Sequence, residues 1–147
     1  MRAVALDLGT RRIGVAVSDA GGTMATPYSV IKRSGDARAD RARVAEIVSE
    51  VEAGLVVVGL PLSMDGSEGP AAKAALKEAE ALRDLLDVPV ELQDERLTSV
   101  TANRSLTEAG VTGRRRRKAR DAGAVDQAAA AVLLQSWLDT HRNGSEA

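Results

Sequence analysis

The opening stretch of the chain, residues 4–18, constrains the fold more than any other. An apolar segment is followed by Gly9 and Thr10, and a second apolar segment starts near Ile13. Two apolar segments joined by a short glycine-containing turn predict a β-hairpin. After a turn at 19–22, a third short strand is predicted at 26–31. The first three strands should therefore form an antiparallel meander.

Asp7 lies inside the first apolar segment. A carboxylate in a buried strand costs free energy unless it is hydrogen-bonded or paired with a cation. One interpretation is that hydrogen bonds from a turn satisfy Asp7. The other is that Asp7 binds a metal ion, while Gly9, which lacks a side chain, leaves room for a phosphate group. The hairpin alone is compatible with both interpretations.

Beyond the hairpin, the pattern alternates between helices and strands. Helical spacing of apolar residues predicts helices at 36–52, 67–86, 98–109 and 124–140, with Asp36 and Ser67 as N-caps and Gly54 as a C-terminal stop. A β-branched run at 55–61 is typical of a central strand buried on both faces, and a further strand starts at Val88 and ends near 93–95. This order predicts an α/β fold with one mixed sheet flanked by helices. We expect a single domain over 1–141 and a flexible C-terminal tail over 142–147.

Composition excludes several classes of function. The 147 residues include no cysteine, which rules out disulfides and thiolate metal sites and fits a cytoplasmic location. One Trp, one Tyr and no Phe leave little capacity to stack nucleic-acid bases. No apolar run approaches the ~20 residues that span a bilayer, so no membrane partner is expected. The formal net charge of -1 favours no particular partner.

Three acidic residues stand where a packed α/β domain would not favour them. Asp7 is in the first strand, Glu95 closes the last strand, and Asp126 opens the last helix on its apolar face. Ligands of open sheets gather beyond the carboxyl ends of the strands, which is where Glu95 should lie. Each acid also has an ordinary explanation. Glu95 could pair with Arg96, and Asp126 could be stabilised by the helix dipole.

Three neighbouring carboxylates would repel one another unless a cation lies between them. A hard divalent cation with oxygen ligands, Mg²⁺ or Mn²⁺, is the natural occupant. Two such ions about 4 Å apart could activate a water molecule and stabilise the leaving oxygen in phosphodiester hydrolysis. A basic run then has a use beyond solvation, because it could contact a nucleic-acid backbone without reading sequence. The run comprises Arg114, Arg115, Arg116, Arg117 and Lys118.

Four blocks of the sequence together resemble the YqgF/RuvX family, whose members are described as Holliday junction resolvases and as pre-16S ribosomal RNA nucleases. The blocks are residues 6–16 (LDLGTRRIGVA), 59–67 (GLPLSMDGS), 94–99 (DERLTS) and 125–129 (VDQAA). The resemblance implies a ribonuclease H-like fold with a five-stranded mixed sheet. It also implies that Asp7, Glu95 and Asp126 are the catalytic, metal-binding triad, and we expect them to hold two Mg²⁺ or Mn²⁺ ions.

The same interpretation places nucleic-acid contacts at Thr10, Arg11 and Arg96 and in the basic run before Asp126. It favours a nuclease that processes pre-16S ribosomal RNA, acting as a monomer or homodimer. Cleavage of DNA four-way junctions is the competing activity. A binding adaptor without catalysis is an alternative of another class. An actin-like ATP-binding protein is disfavoured because the chain is too short for two lobes.

Overall fold

The computed structural model describes residues 1–63, 65–95 and 122–145, and for 122–127 and 142–145 it describes the backbone only. The predicted helix at 98–109 and the basic run lie outside the described residues. The elements are β1 (Arg2–Leu8), β2 (Arg12–Ser18), β3 (Ala25–Lys32), α1 (Ala37–Glu50), β4 (Ala53–Leu60), α2 (Pro70–Leu85), β5 (Val90–Asp94) and α3 (Ala122–Ser145).

The five strands form one mixed sheet in the order β3-β2-β1-β4-β5. The strand β1 pairs antiparallel with β2, which pairs antiparallel with β3, whereas β4 runs parallel to both β1 and β5. The predicted meander and the predicted five-stranded mixed sheet are therefore confirmed. Because β1, β4 and β5 are parallel, their carboxyl ends meet at one edge of the sheet, which we call the carboxyl edge.

Alternating side chains of the strands build two apolar layers, one on each face of the sheet. Val4 and Leu6 of β1 pack with Val44 of α1 and Leu82 of α2 on one face. Ala3 and Ala5 of β1 pack on the other face, in a cluster that includes Ala16, Leu55, Val57, Ala130, Leu133, Leu134 and Leu138. The small side chains of this second layer let α3 approach the sheet closely. The central strand β4 is buried on both faces, as its β-branched run predicted.

The two helices on the first face begin and end through different local chemistry. Asp36 is the N-cap of α1, as predicted, and its carboxylate accepts the amides of Arg38 and Ala39. Gly54 is not the stop of α1, because the chain turns at Glu52, whose φ is 54°, and Gly54 lies inside β4. Ser67 is not the N-cap of α2 either. Gly69 is the N-cap, because Pro70, which lacks an amide proton, occupies the first turn.

The last helix is longer than its apolar pattern predicted. It runs to Ser145, whereas the predicted helix ended at residue 140, so the predicted tail over 142–147 begins inside α3. Gln135 fixes this helix to the sheet, since its side chain accepts the amide of Ala25 and donates to the carbonyl of Thr23. Among the described residues, no helix is both long and apolar enough to cross a membrane.

Candidate active site

Two of the three predicted acids lie at the carboxyl edge. In the register of β1 and β4, Leu6 stands opposite Val58, and Asp7 follows Leu6 directly. In the register of β4 and β5, Leu60 stands opposite Asp94, and Glu95 follows Asp94. The Glu95 amide donates to the Leu60 carbonyl at 3.0 Å, which extends the β4–β5 ladder by one residue. The parallel strands thus bring residues 88 positions apart in sequence to one edge.

These acids also share a face of the sheet. Side chains alternate along a strand, so Asp7 continues the row of Ala3 and Ala5 that faces α3. On β5, the Gln93 amide donates to the Ser136 hydroxyl of α3 at 3.3 Å, and Glu95 follows two residues later. The carboxylates of Asp7 and Glu95 therefore project toward the side of the sheet that α3 covers.

Gly59 of β4 lies between them and is buried. A β-carbon added at Gly59 would lie 2.7 Å from Oε2 of Glu95, 2.9 Å from its Cδ and 3.0 Å from its Cγ. Real β-carbons do not approach other atoms this closely, so a side chain at residue 59 would require the Glu95 carboxylate to move. Gly59 leaves free the space over β4 in which the Glu95 side chain lies. Gly59 was not among the predicted site residues, because its role depends on how closely the Glu95 side chain of the neighbouring chain segment approaches it in the folded protein.

The electrostatics of the carboxyl edge agree with a close approach of the acids. Burial is the largest cause that raises the pKa of Glu95, and together with the charges of Asp7 and Asp94 it raises that pKa to about 7. In the absence of a cation, the Glu95 carboxyl group is therefore partly protonated near neutral pH. A carboxyl group shifted this far by burial and by neighbouring charges at a sheet edge is typical of functional sites.

Asp126, the third predicted acid, lies in the first turns of α3. It precedes Ala130 by four residues, and Ala130 is fully buried against the layer that contains Ala3 and Ala5. Residues four apart on a helix lie on one face. Its helix therefore packs on the sheet face from which Asp7 projects. Among the described side chains, no three acidic or histidine residues form a metal-binding group.

The turn from β1 to β2 borders the carboxyl edge. The Gly9 amide donates to the Arg12 carbonyl at 2.9 Å, and a β-carbon at Gly9 would lie 2.7 Å from that carbonyl oxygen. Arg33, which follows β3, fixes the outside of the turn. Its Nε donates to the Gly9 carbonyl at 2.7 Å, and its backbone amide donates to the Arg11 carbonyl at 2.9 Å.

The predicted nucleic-acid contacts divide into two groups. Thr10 and Arg11 are exposed in the turn next to the carboxyl edge. The other predicted contacts, Arg96, Arg114, Arg115, Arg116, Arg117 and Lys118, lie outside the described residues. Lys32 and Arg33, which sequence analysis did not select, line the same surface as Thr10 and Arg11. A Lys-Arg pair at the end of a strand is the sequence feature that could have drawn attention to them.

The donor set of the edge fits a hard divalent cation. Asp7 and Glu95 supply carboxylate oxygens. Burial first, and then the charges of Asp7 and Asp94, raise the pKa of Glu95, and a bound cation would counter both effects. No thiol is present in the chain and its one histidine, His141, stacks on Trp137 in α3, so oxygen ligands are the available donors. Carboxylate oxygens are the ligands that hard divalent cations prefer.

Comparison with known proteins shows the family to which the chain belongs. Residues 1–140 match the family model of RuvX, described as a Holliday junction resolvase. A protein of Myxococcus xanthus, named "Putative pre-16S rRNA nuclease", is 51% identical over 142 residues, which cover 97% of this chain and 90% of that protein. A relative of the same name from Thermoanaerobacter pseudethanolicus is 40% identical over 143 residues, covering 97% of this chain and 99% of that protein.

Among solved structures, the fold is similar to RuvC of Thermus thermophilus in complex with a Holliday junction substrate. The TM-score is 0.57 at 17% sequence identity, and the match covers 97% of this chain and 96% of the other. This likeness shows the ribonuclease H-like fold of RuvC-type nucleases and no more. The family model and the two relatives show, in addition, the family of the chain. The chain belongs to the RuvX family of nucleases.

Proposed function

We propose that this nuclease hydrolyses phosphodiester bonds in precursor 16S ribosomal RNA, using divalent metal ions bound by Asp7, Glu95 and Asp126. The observation that carries the proposal is the pairing of Asp7 with Glu95 across Gly59 at the carboxyl edge of the sheet. The charge of Asp7 contributes to the raised pKa of Glu95, after the larger effect of burial. Two carboxylates at one edge of a sheet supply the oxygen ligands that a hard divalent cation prefers.

The position of α3 supports Asp126 as the third ligand. Its helix packs on the face toward which Asp7 and Glu95 project, and Gln135 attaches the same helix near the start of β3, at the opposite edge of the sheet. Asp126 precedes Gln135 by nine residues, or about 13 Å of helix. The first turns of α3 are therefore separated from that attachment by most of the length of a strand.

Each described residue has a task in this proposal. Glu95 and Asp7 bind cations through their carboxylate oxygens, and Gly59 leaves the space in which the Glu95 side chain crosses β4. Arg33 holds the turn that presents Thr10 and Arg11 to the phosphate backbone. Bound Mg²⁺ or Mn²⁺ ions supply an activated water molecule and stabilise the charge on the leaving oxygen.

RNA is favoured over a DNA junction as the substrate because the relatives at 40–51% identity carry the name of a pre-16S rRNA nuclease over nearly their whole length. Likeness to the junction-bound RuvC is at 17% identity and concerns the fold. Hydrolysis of one RNA strand needs one active site, so either a monomer or a homodimer fits. The proposed location is the cytoplasm, where ribosomal RNA precursors are processed in bacteria.

The test is cleavage of two labelled substrates, a precursor 16S RNA end and a DNA four-way junction, with Mg²⁺, Mn²⁺ or a chelator. We expect the RNA to be cut with either metal and not with the chelator. Glu95→Gln should abolish cutting. Glu46→Gln is the matched control, since it removes a carboxylate from an exposed ion pair of α1.

Other outcomes would replace the proposal. Cutting of the junction without cutting of the RNA would make the protein a resolvase. Binding of either substrate without cleavage in any metal would make it an adaptor. Equal cutting by the wild type and by Glu95→Gln would remove Glu95 from the active site.

A further inference from the structure

A second feature of the carboxyl edge is a cationic groove beside the metal-binding acids. It has a volume of about 480 Å³ and lies between the β1–β2 turn, the end of β3 and the start of α1. Its charged lining residues are Arg11, Lys32, Arg33 and Asp40. We call it the β3 groove. Thr10 lines both this groove and a neighbouring one that extends to α2.

The cations of the β3 groove are not explained by the stability of the fold. Arg12 and Lys32 stand directly opposite each other in the β2–β3 register, and like charges in such positions are destabilising. Within the described residues, no carboxylate forms an ion pair with Arg11, Arg12 or Lys32. Arg11 and Lys32 are exposed. This concentration of positive charge is therefore available to an anion from outside the chain.

The acidic groups nearby are already engaged. Asp40 is buried, and its carboxylate accepts hydrogen bonds from the backbone amide and the hydroxyl of Ser34, at 3.1 Å and 2.8 Å. Asp36 is exposed and accepts the first amides of α1. Because Asp36 already caps α1, the anion-binding capacity of the groove comes from its Arg and Lys side chains and not from the end of the helix.

The groove lies close to the acids in the chain and in space. Thr10 is three residues beyond Asp7, which limits their separation to about 10 Å. Hydrogen bonds from Arg33 connect the end of β3, which lines the groove, to the β1–β2 turn. A nucleic-acid strand whose phosphate lies at Asp7 and Glu95 would therefore reach the groove within a few nucleotides.

From this geometry we infer that the β3 groove, through Lys32 together with Arg11 and Arg33, holds the backbone of the RNA strand on the β3 side of the cleaved bond. The inference rests on the proposed function and adds Lys32 and Arg33 to the binding surface. With no aromatic side chain among the groove residues, the contact is to phosphates and is independent of sequence. Arg33 also positions the turn, so Lys32 and Arg11 are the residues to test.

The experiment measures binding of a short fluorescein-labelled single-stranded RNA, by anisotropy, over a range of salt concentrations. A chelator is present, so that binding is separated from cleavage. The double variant Arg11→Gln/Lys32→Gln should bind more weakly, on the order of tenfold at about 0.1 M salt. The slope of log K against log salt should become shallower by about 1.4, because each lost phosphate contact on a single strand removes about 0.7.

Two control variants define the result. Arg2→Gln removes one positive charge at the other end of β1, about 17 Å from Asp7, and should leave the slope unchanged. Lys32→Arg keeps the charge in place and should bind as the wild type does. Circular dichroism and thermal melting of each variant exclude loss of fold as the cause.

The outcomes separate the two proposals. If the double variant keeps the wild-type slope while the wild-type protein cuts RNA, the groove is wrong and the proposed function stands. If the slope falls as expected while no variant cuts RNA in any metal, the groove stands and the proposed function is wrong. A change of slope of about 0.7 in Arg2→Gln, half of that in the double variant, would show that general charge, and not the groove, controls binding.

Discussion

The two edges of the sheet hold their acidic side chains in opposite electrostatic states. At the edge where β1 begins, hydrogen bonds from the Thr23 and Met24 amides and the Thr23 hydroxyl lower the pKa of Asp19. At the carboxyl edge, burial and the charges of Asp7 and Asp94 raise the pKa of Glu95 to about 7. Hydrogen bonds stabilise the charged form of the first carboxylate, whereas burial and neighbouring charges disfavour the charged form of the second. The difference distinguishes an acid that stabilises a turn from the acids that we propose to bind metal.

The largest expected effect comes from removing one carboxylate charge at each edge of the sheet. Asp7→Asn removes a proposed metal ligand, so the rate of cleavage should fall by more than about a hundredfold. Mutation of a residue that only supports a metal ligand already costs up to about a hundredfold in activity. Its melting temperature should not fall, because the change also relieves repulsion of Glu95. Asp19→Asn should do the reverse, lowering the melting temperature and leaving cleavage per folded molecule unchanged. Cleavage assays and calorimetric melting check both variants.

The comparison would fail if the two variants behaved alike. A destabilised Asp7→Asn with normal cleavage would make Asp7 a structural acid like Asp19. A loss of cleavage in a fully stable Asp19→Asn protein would extend the active site to the opposite edge.

An intermediate effect is expected from glycines at the two edges. Gly59→Ala places a β-carbon 2.7 Å from Oε2 of Glu95, so the carboxylate must move. A displacement of this size at a catalytic group can cost on the order of a hundredfold, and we expect a cleavage loss of at least about tenfold with a weaker response to metal. Gly21→Ala is the control, because its β-carbon would be 3.6 Å from the nearest atom, an ordinary contact. Titration of cleavage with Mn²⁺ measures both.

The smallest effect is the dependence of stability on pH in the metal-free protein. The folded-state pKa of Glu95 is about 7 and its ordinary value is 4.5, so folding retains a proton that the unfolded chain releases. The contribution of Glu95 to stability is therefore full below about pH 4.5 and is lost as pH rises through about 7. Asp19 acts in the opposite direction, because its pKa is lowered, and its contribution is lost as pH falls in the acid range.

Denaturant unfolding at several pH values in the presence of a chelator measures this dependence. Asp7→Asn should flatten the decline between about pH 5 and 8, since one of the charges that raise the Glu95 pKa is removed. An unchanged decline would mean that Asp7 does not interact with Glu95.

The sheet could be predicted because its information is local. Apolar segments joined by short turns specify β1 to β3, and the continuous apolar run of β4 specifies a central strand. The ends of the helices were harder to predict than the strands. Gly54 was selected as a stop, yet it is an in-strand residue where a β-carbon would lie 2.5 Å from Sδ of Met1. The start of α2 was placed at Ser67, although Pro70 at the first turn was the stronger indication.

The acidic pair could be predicted in position and not in detail. The rule that ligands bind at the carboxyl ends of parallel strands placed Glu95 near Asp7. The clearance at Gly59 could not be predicted, because it depends on how far the Glu95 side chain reaches across a neighbouring strand. Lys32 and Arg33 were missed for a similar reason. They are remote from the turn in sequence and reach it through the β2–β3 register and through the hydrogen bonds of Arg33.

The most direct test of the central claim, that Asp7 and Glu95 bind a divalent cation together, is calorimetric titration of Mn²⁺ into the wild type and Asp7→Asn at pH 7. Two buffers of different ionisation enthalpy reveal the protons released on binding. We predict that Mn²⁺ binds the wild type with release of about half a proton, because Glu95 is half protonated at a pH equal to its pKa. Binding should be lost in Asp7→Asn. Equal binding by both proteins, or wild-type binding without proton release, would contradict the account.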